Sequence, residues 1–560
     1  MKVVVIGGVA GGASAAARLR RLREDAEIIL IERGDYVSYA NCGLPYYIGG
    51  EITQKSALTV QTPDSLRQRL SLDVRTGQEA LRIHPHTKTV DIRLVKTGET
   101  YTETYDKLIL SPGAEPIRPP IPGIDDPRVF TLRTIPDTYR IDEYIKARKP
   151  RRVLVVGAGY IGLEMAENLV RAGLQVTVAE LADHVVASLD MDMATDVQQY
   201  LAEKGVCLLL GNGVEAIKPA NGALHVSLRQ GTLEVDMVLM SVGVRPDSRL
   251  AHDAGLAVNA RGAIVVDETM RTSDEHIYAV GDAVQTMHPI SGSPGYVPLA
   301  GPANKQGRIA ADNIAGKRSV YKGTQGTAIM KLFDMTVGTT GLNEPAAQNA
   351  GIDYDKVYLT PNAHAGYYPG ALPIRMKVLF EKGSGRILGA QLIGFDGVDK
   401  RLDVLAVAIR AGMTADDLAD LELGYAPPFS SAKDPVNMAG FLIQNLLDGS
   451  VKQFHWQEVP ELVRQGAALV DVRTPVEYGM GHIEGAVNIP VDELRGRLGE
   501  LRKDKPVYLY CQSGQRSYLA SRILTEKGFN ASHLAGGYRV YTSASLGLSQ
   551  ADGHNQCPEM

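Results

Sequence analysis

Two stretches of this chain pair a short apolar run with a glycine-rich turn, and they leave few alternatives for how its first half folds. "KVVVIGGVAGG" from Lys2 places Val3 to Ile6 ahead of glycines, then a helical "ASAAARLRRLR", then a second apolar run "AEIILIE" ending at Glu32. "RRVLVVGAGYIGLEMAENLVRAGLQVTVAE", Arg151 to Glu180, repeats the design, with Gly157 standing 150 positions after Gly7. A buried strand, a tight turn and a helix make a βαβ unit, and the helix N-terminus presents free N–H groups and a positive dipole end to a pyrophosphate. In the second unit Gly157, Gly159 and Gly162 fall in the G-x-G-x-x-G frame around Tyr160 and Ile161. In the first, Gly7 and Gly12 fit, Val9 takes the middle place before Ala10, and Gly8 or Gly11 is left to make the closest backbone approach.

Each unit ends in a carboxylate, Glu32 and Glu180, placed to accept bonds from a ribose hydroxyl. At Glu180 such a group repels a 2′-phosphate; Arg171 lies back in the helix and no arginine follows, so NADH is expected in preference to NADPH. With 560 residues there is room for several domains, and a formal net charge of −5 without a basic run argues against nucleic acid and membrane surfaces as partners. The glycines break what otherwise resembles a secretory leader, and no stretch offers the roughly 20 apolar residues that span a bilayer, so a cytoplasmic protein is expected.

Three strand-to-turn segments flank the units: "DKLILSPGAEP" (Asp106 to Pro116), "DMVLMSVGVRPDS" (Asp236 to Ser248) and "TSDEHIYAVGDAV" (Thr272 to Val284). With them the chain resembles the two-dinucleotide-binding flavoprotein disulfide reductases over about Met1 to Gly440. The resemblance implies an α/β fold with glutathione-reductase-like, Rossmann-like domains. FAD is expected on residues 1–150 and 250–323, NAD on 151–249, and an α+β dimerisation domain over 324–446. It assigns Asp282 to the flavin ribityl chain and further cofactor contacts to Arg33, Asn41, Ser111, Gly113, Gly243 and Ala300, although Ser111-Pro112-Gly113 departs from the relatives' A-T-G.

Only four cysteines occur, Cys42, Cys207, Cys511 and Cys557, too few and too scattered for a disulfide framework and without a CxxC pair for zinc. Cys207, in "KGVCLLLG", is expected as a small apolar residue of a buried strand, and Cys557, in the polar tail "GHNQCPEM", as disordered and incidental. Relatives with an internal dithiol carry C-x4-C, but Tyr47 stands five after Cys42, so Cys42 acts alone on sulfur or oxygen supplied from outside. It is useful as a thiolate, held by a positive dipole, a helix N-terminus or an electron-poor flavin.

"SYANCGLPYYIGG" (Ser38 to Gly50), with Ser38, Asn41, Cys42, Leu44 and Pro45, resembles the single-cysteine branch of coenzyme A-disulfide reductases, NADH oxidases and NADH peroxidases. Ser14, Arg18 and Arg21 on the first helix are candidates for the 3′-phosphate-ADP group of coenzyme A, with a solvated basic face as the alternative. By the same resemblance Tyr367 and Tyr425 reach the partner subunit's Cys42 in a homodimer. Lys433 contacts coenzyme A, and Ser38 and Asn41 contact the small thiol.

Beyond "LLDGSVKQFHW", Val451 to about Tyr541 resembles a rhodanese domain, expected as a C-terminal α/β unit over 451–560. Asp471, Arg473, Glu477, Gly481-His482-Ile483 and Gly485-Ala486 carry the likeness. Its strand "VYLY" delivers Cys511 to the turn Gln512, Ser513, Gly514, Gln515, Arg516, Ser517, where a ring of N–H groups at a helix N-terminus favours an anionic persulfide and Arg516 adds charge. Gln512 stands where many rhodaneses have arginine, which counts against anionic thiosulfate as donor. The combination resembles coenzyme A-disulfide reductase–rhodanese fusions, including NADH-dependent persulfide reductases. The expected activity is FAD-dependent, NADH-driven reduction of persulfides and coenzyme A disulfide at Cys42, with coenzyme A as substrate or bound thiol and Cys511 as sulfur carrier. An oxidase or peroxidase using a Cys42 sulfenic acid, and a sulfur carrier with a redox-sensing flavoprotein half, are the alternatives.

Overall fold

The computed structural model describes residues 1–551 and Cys557. The chain divides into two compact units, residues 1–179 with 213–324, and residues 180–212 with 325–560.

The first unit is built on parallel sheets. Strand β1 (Lys2–Ile6) leads into helix α1 (Ala10–Arg20) and then β2 (Glu27–Glu32). The single-cysteine segment ends in the short helix α2 (Leu44–Ile48). Strands β3 (Asp73–Thr76), β4 (Lys107–Leu110) and, much later, one at Ile277–Ala279 complete a five-stranded sheet in which β1 lies between β2 and β4. Val3, Val4 and Val5 are fully buried, each worth about 1.5–3 kcal/mol of transfer free energy, which is why the strand is apolar on both faces. The second βαβ unit runs β5 (Arg152–Val156), α3 (Tyr160–Arg171) and β6 (Gln175–Ala179). Strand β7 (Met237–Met240) pairs with β5 in parallel, and a short strand Val129–Phe130 pairs with β7.

The alanines and glycines of α1 have a packing reason. Helix α4 (Ala300–Ile314) lies so close that a Cβ at Gly307 would stand 2.3 Å from the Gly11 carbonyl oxygen. Larger side chains on this face of α1 would push the two helices apart.

The second unit carries a five-stranded antiparallel sheet. Its strands, β8 (Ala328–Leu332), β9 (Met335–Gly341), β10 (Tyr354–Leu359), β11 (Ile374–Glu381) and β12 (Ile387–Gly394), lie in the order β8-β9-β12-β11-β10. Helix Val398–Ala411 packs on β9 and β12.

A five-stranded parallel sheet follows. It orders β13 (Gln453–Phe454), β17 (Ala531–Leu534), β16 (Val507–Tyr510), β14 (Ala468–Asp471) and β15 (Val487–Asn488) side by side. Helix α5 (Gln515–Glu526) connects β16 to β17, and α6 (Gly537–Ala551) closes the chain. This C-terminal sheet is tied to the antiparallel one. Gln453 Nε2 donates to the Lys356 carbonyl at 2.9 Å, His455 Nε2 lies 2.8 Å from Asp355 Oδ1, and Trp456 Nε1 donates to Asp192 Oδ2 at 3.2 Å.

A buried ionic cluster stands behind that contact. Lys377, with no exposed surface, meets Asp190 at 2.8 Å, Asp192 at 2.9 Å and Glu344 at 2.5 Å. Burial alone would raise the Asp192 carboxyl; Lys377 and the Tyr358 hydroxyl override it and hold the group at about 2.

Two cysteines correct the sequence reading. Cys207 is buried, as expected of its strand, but it is joined to Cys557 in a disulfide across 350 residues. Helix α6 makes this possible by running back along helix Met191–Glu203, where Gln198 donates to Gln550 at 2.5 Å. Cys557 is therefore not incidental, while the reading of the rest of Gly553 to Met560 as disordered lies outside the described residues.

Candidate functional site

The two glycine turns are demanded first by the protein itself. Gly7 has φ +96°, and a Cβ there would stand 2.0 Å from the Ser111 carbonyl oxygen; a Cβ at Gly12 would stand 1.9 Å from that of Gly7. Val9 is the N-cap position of α1 and Ala10 its first residue. Side chains at Gly8 and Gly11 would strike Val37 and Ser111 respectively, so both glycines answer to packing and neither stands out as the closest approach. In the second turn Gly157 and Gly162 meet backbone in the same way, whereas a Cβ at Gly159 finds nothing within 4 Å. That open space, beside the first residues of α3, Tyr160 and Ile161, is a cradle that fits a dinucleotide pyrophosphate.

The strand-end carboxylates are held. Glu32 accepts from the N–H of Gly8 at 2.9 Å and of Gly34 at 2.8 Å, which fixes it at the mouth of the first turn. Arg33 is exposed and 3.8 Å from Glu79, so its charge faces a carboxylate rather than an open site. Glu180 directly follows β6 and accepts from the Ala182 N–H at 2.8 Å.

Asp282, in the turn Gly281–Ala283, makes no hydrogen bond or ion pair among the described residues, and burial raises its carboxyl pKa. The Tyr296 hydroxyl, within electrostatic reach of Asp282, is buried without a hydrogen-bond partner. Two orphaned polar groups of this kind fit a polyhydroxylated ribityl chain. Tyr296 had no motif to announce it. Ser111 follows β4, with its N–H bonded to the Ile6 carbonyl at 2.8 Å; Gly113 and Gly243 sit at φ +79° and +101°, and Ala300 opens α4.

Cys42 lies in a turn, Asn41–Gly43, that runs straight into α2, and both Asn41 and Cys42 are exposed. Tyr47, which occupies the place of a second cysteine, is buried edge-on against Tyr139 at 5.8 Å. The protein's own groups do not favour the thiolate. Desolvation of the thiol, then Glu164, then Asp282 push its pKa above the ordinary cysteine value, contrary to the expectation of a stabilising dipole from this chain. The turn has three residues and α2 five, too short to offer a developed helix dipole.

Beside this segment is a groove of about 500 Å³ that brings together Ser14, Arg18 and Arg21 of α1, Ser38, and two residues that the sequence did not single out, Arg69 and Arg308. Arg18 is already committed to Asp312 at 2.7 Å, and Ser14 to Asn304. Arg21, Arg69 and Arg308 are exposed and make no ion pair among the described residues. Ser38 is held at φ +47°, a left-handed conformation that costs on the order of 1 kcal/mol in a non-glycine residue, by its N–H to the Gly8 carbonyl at 2.8 Å and the Val60 N–H to its own carbonyl at 2.9 Å. Three unpaired cations around an open groove suit a phosphate-rich ligand.

In the second unit the Tyr367 and Tyr425 hydroxyls are 2.8 Å apart and both rings are exposed, as is Lys433. Their loops are stapled by buried Arg401, which donates to the Ala363 carbonyl at 2.8 Å, Ser430 Oγ at 3.0 Å and Asp434 Oδ2 at 3.0 Å.

Cys511, buried at the end of β16, accepts the Gly514 N–H at 3.2 Å, and Gly514 begins α5 at φ +99°. Ser517 returns its hydroxyl to the Gly514 carbonyl at 3.0 Å. Arg516 forms a two-point pair with Glu477, 2.7 Å at each contact, and that arginine holds the Glu477 carboxyl at about 2. Its charge is therefore largely met by Glu477. Gln512 accepts from Arg473 at 3.2 Å, so a guanidinium does approach the place where the sequence lacks one, although Arg473 is itself paired with Asp471 at 2.6 Å. Ser513 and Gln515 complete the loop.

Three domain descriptions match the chain in succession: pyridine nucleotide-disulphide oxidoreductase over residues 1–307, the dimerisation domain of that family over 327–435, and a rhodanese-like domain over 455–544. Coenzyme A disulfide reductase of Staphylococcus aureus (strain JH9) is 37% identical over 442 residues, 79% of this chain and 99% of its own length. Among solved structures, reduced Bacillus anthracis CoADR-RHD matches with a TM-score of 0.95 at 50% identity, covering 97% of this chain and 98% of that one. A NAD-dependent persulfide reductase from A. fulgidus matches with a TM-score of 0.91 at 41% identity, covering 97% and 100%. Turns, cradle, lone cysteine and C-terminal loop thus agree with a family whose chemistry rests on FAD and NAD(H): this chain belongs to the pyridine nucleotide-disulphide oxidoreductases, as an enzyme with a dimerisation domain and a C-terminal rhodanese-like domain.

Proposed function

We propose that this enzyme uses NADH to reduce persulfides and disulfides of coenzyme A. The observation that carries the reading is the placing of a single thiol, Cys42, on the segment that starts at Ser38, a wall of the groove with its three unpaired arginines. In this reading the first glycine turn, Glu32 and Asp282 would hold FAD, the second glycine turn at Gly159 would hold NADH with Glu180 selecting against a 2′-phosphate, and the flavin would supply two-electron transfer from hydride to sulfur. The domain limits expected above go with it.

The remaining steps belong to the chain. Arg21, Arg69 and Arg308 hold the 3′-phosphate-ADP end, leaving the pantetheine thiol to reach Cys42. The thiolate attacks the coenzyme A sulfur of the persulfide: CoA–S–SH + Cys42–S⁻ gives CoA–S–S–Cys42 + HS⁻. The mixed disulfide then takes two electrons and a proton to return Cys42 and release coenzyme A. The family's dimerisation domain makes a homodimer the working assembly, in which Tyr367 and Tyr425 reach the partner subunit's Cys42 and steady the leaving thiol, with Lys433 on coenzyme A. Cys511 carries sulfane sulfur from outside donors. Because the rhodanese sheet is tied to β10 through Gln453 and His455, a diffusible thiol, rather than a swinging domain, links the two cysteines. With Arg516 matched by Glu477, the loop favours thiol persulfides over thiosulfate.

The experiment is anaerobic NADH oxidation with coenzyme A persulfide. Cys42→Ser abolishes it and Cys511→Ser leaves it. The reverse pattern would place the reducing centre on the wrong cysteine.

A further inference from the structure

Helix α3 opens beside the free space at Gly159, where the second glycine turn forms its cradle. The side of the same helix carries the cysteine segment, a packing that no motif announces. Helix α2, which begins two residues after Cys42, lies against α3, and the segment meets that helix at three points. Tyr46 donates its hydroxyl to Glu164 Oε1 at 3.4 Å, Gly49 sits on Asn168, and Arg171 pairs with Glu51. Glu164, Asn168 and Arg171 are four and three residues apart, so they make one stripe along one face of α3, and Tyr46, Gly49 and Glu51 meet it in the same order.

The middle contact decides the spacing. A Cβ at Gly49 would stand 2.0 Å from Asn168 Oδ1, 2.7 Å from its Cγ and 2.9 Å from its Cβ. Gly49 has φ −75°, an ordinary helical value open to any residue, so closeness alone demands the glycine. Asn168 is fully buried, and its Nδ2 donates to the Glu164 carbonyl at 2.7 Å, which holds the side chain against turning away. The outer contacts are weaker. The Tyr46 bond is long, and Arg171, shared with Glu167 at 3.0 Å, makes with Glu51 a half-exposed pair of the kind that contributes little. Helix α2 runs unbroken from Leu44 to its cap at Gly49, with the Gly49 N–H on the Pro45 carbonyl at 3.0 Å, so a shift at Gly49 is passed back to Cys42.

We propose that Asn168 positions Cys42: through its contact with Gly49 it sets how closely α2 approaches α3, and so fixes the thiol relative to the cradle at the first turn of the same helix. One helix thereby registers both ends of the electron path, the nucleotide at its start and the sulfur along its side. Asn168 acts through Gly49 and α2 and is a positioning residue. The inference rests on the reading of Cys42 as the redox thiol and holds whichever sulfur compound is the substrate.

The test opens that contact in the holoenzyme. Gly49→Ala has to drive α2 and Asn168 apart by about 1 Å or more, and a reacting group misplaced by about 1 Å loses on the order of 100-fold in rate. Two activities are measured under nitrogen: NADH oxidation with coenzyme A disulfide, which passes through Cys42, and with ferricyanide, which takes electrons without a thiol. Gly49→Ala lowers kcat for the disulfide about 100-fold and leaves the ferricyanide rate and the KM for NADH unchanged. Asn168→Ala added to Gly49→Ala removes the atoms at 2.0 and 2.7 Å and restores disulfide turnover about tenfold. Undiminished disulfide turnover in Gly49→Ala, equal losses in both activities, or no rescue by the second substitution overturns the proposal. Should Gly49→Ala fail to fold, Asn168→Ala alone serves: the gap it leaves frees α2, disulfide turnover falls about tenfold with the ferricyanide rate unchanged, and wild-type turnover overturns the proposal. Cys42→Ser separates the two claims. Disulfide activity that survives in Cys42→Ser sinks the redox reading and this inference with it, whereas activity lost in Cys42→Ser but kept in Gly49→Ala sinks the positioning role alone.

Discussion

If the groove recognises the nucleotide end of coenzyme A, removing two of its unpaired cations should weaken that substrate and spare a small one. The perturbation is Arg69→Ala with Arg308→Ala. Both side chains are exposed and neither makes an ion pair among the described residues, so little folding energy is at stake. An arginine–phosphate contact is worth about 1.5–3 kcal/mol when desolvated; on this open surface about 1 kcal/mol each is the appropriate figure. That is roughly fivefold per residue, or about 25-fold for the pair if the two act independently. The assay is steady-state NADH oxidation under nitrogen, comparing coenzyme A persulfide with cysteamine persulfide, which has the thiol but no phosphate. KM for the first rises about 25-fold while kcat and the second substrate's KM stay put, and the loss shrinks as salt screens the wild-type contacts. Equal changes for both substrates, or none for either, would refute the reasoning.

The buried cluster and the second nucleotide site give further predictions. Lys377→Met strips the cation from Asp190, Asp192 and Glu344 and should cost about 3–5 kcal/mol, since buried carboxylates lose their partner; denaturant unfolding measures it, and a change within error contradicts the account. Asp192 is held at about 2 instead of its ordinary 3.8, so it contributes about 2 kcal/mol that is present above pH 4 and lost as pH falls towards 2; an unfolding titration of Asp192→Asn against wild type should converge over that window. Glu180→Ser removes the carboxylate that meets a ribose hydroxyl, and should raise kcat/KM for NADPH about tenfold while lowering that for NADH.

Much of the site was legible because its demands are local. Gly162 is set by the backbone of Gly157 five residues before it, Glu180 by the end of its strand, and Cys511 by a strand, a left-handed glycine and a helix in unbroken succession. The absence of a second cysteine was equally plain, although that Tyr47 packs on Tyr139 was not. What the sequence concealed comes from helices meeting across long separations. Arg69 and Arg308 join Arg21 only because α4 packs on α1 and helix Pro63–Leu70 closes the groove. Glu164 faces the Cys42 segment only because α2 docks on α3, and Cys207 meets Cys557 only because α6 doubles back. The rhodanese loop shows the same limit in charge: Arg516 was visible, but not that Glu477 meets it.

The account's central claim is that electrons from NADH leave through Cys42 onto sulfane sulfur, and product stoichiometry tests it most directly. With coenzyme A persulfide under nitrogen, wild type should release one hydrosulfide per NADH oxidised, Cys42→Ser none, and air should change neither. NADH oxidation that waits for oxygen and yields no hydrosulfide would contradict the claim and make Cys42 the sulfenic acid of an oxidase.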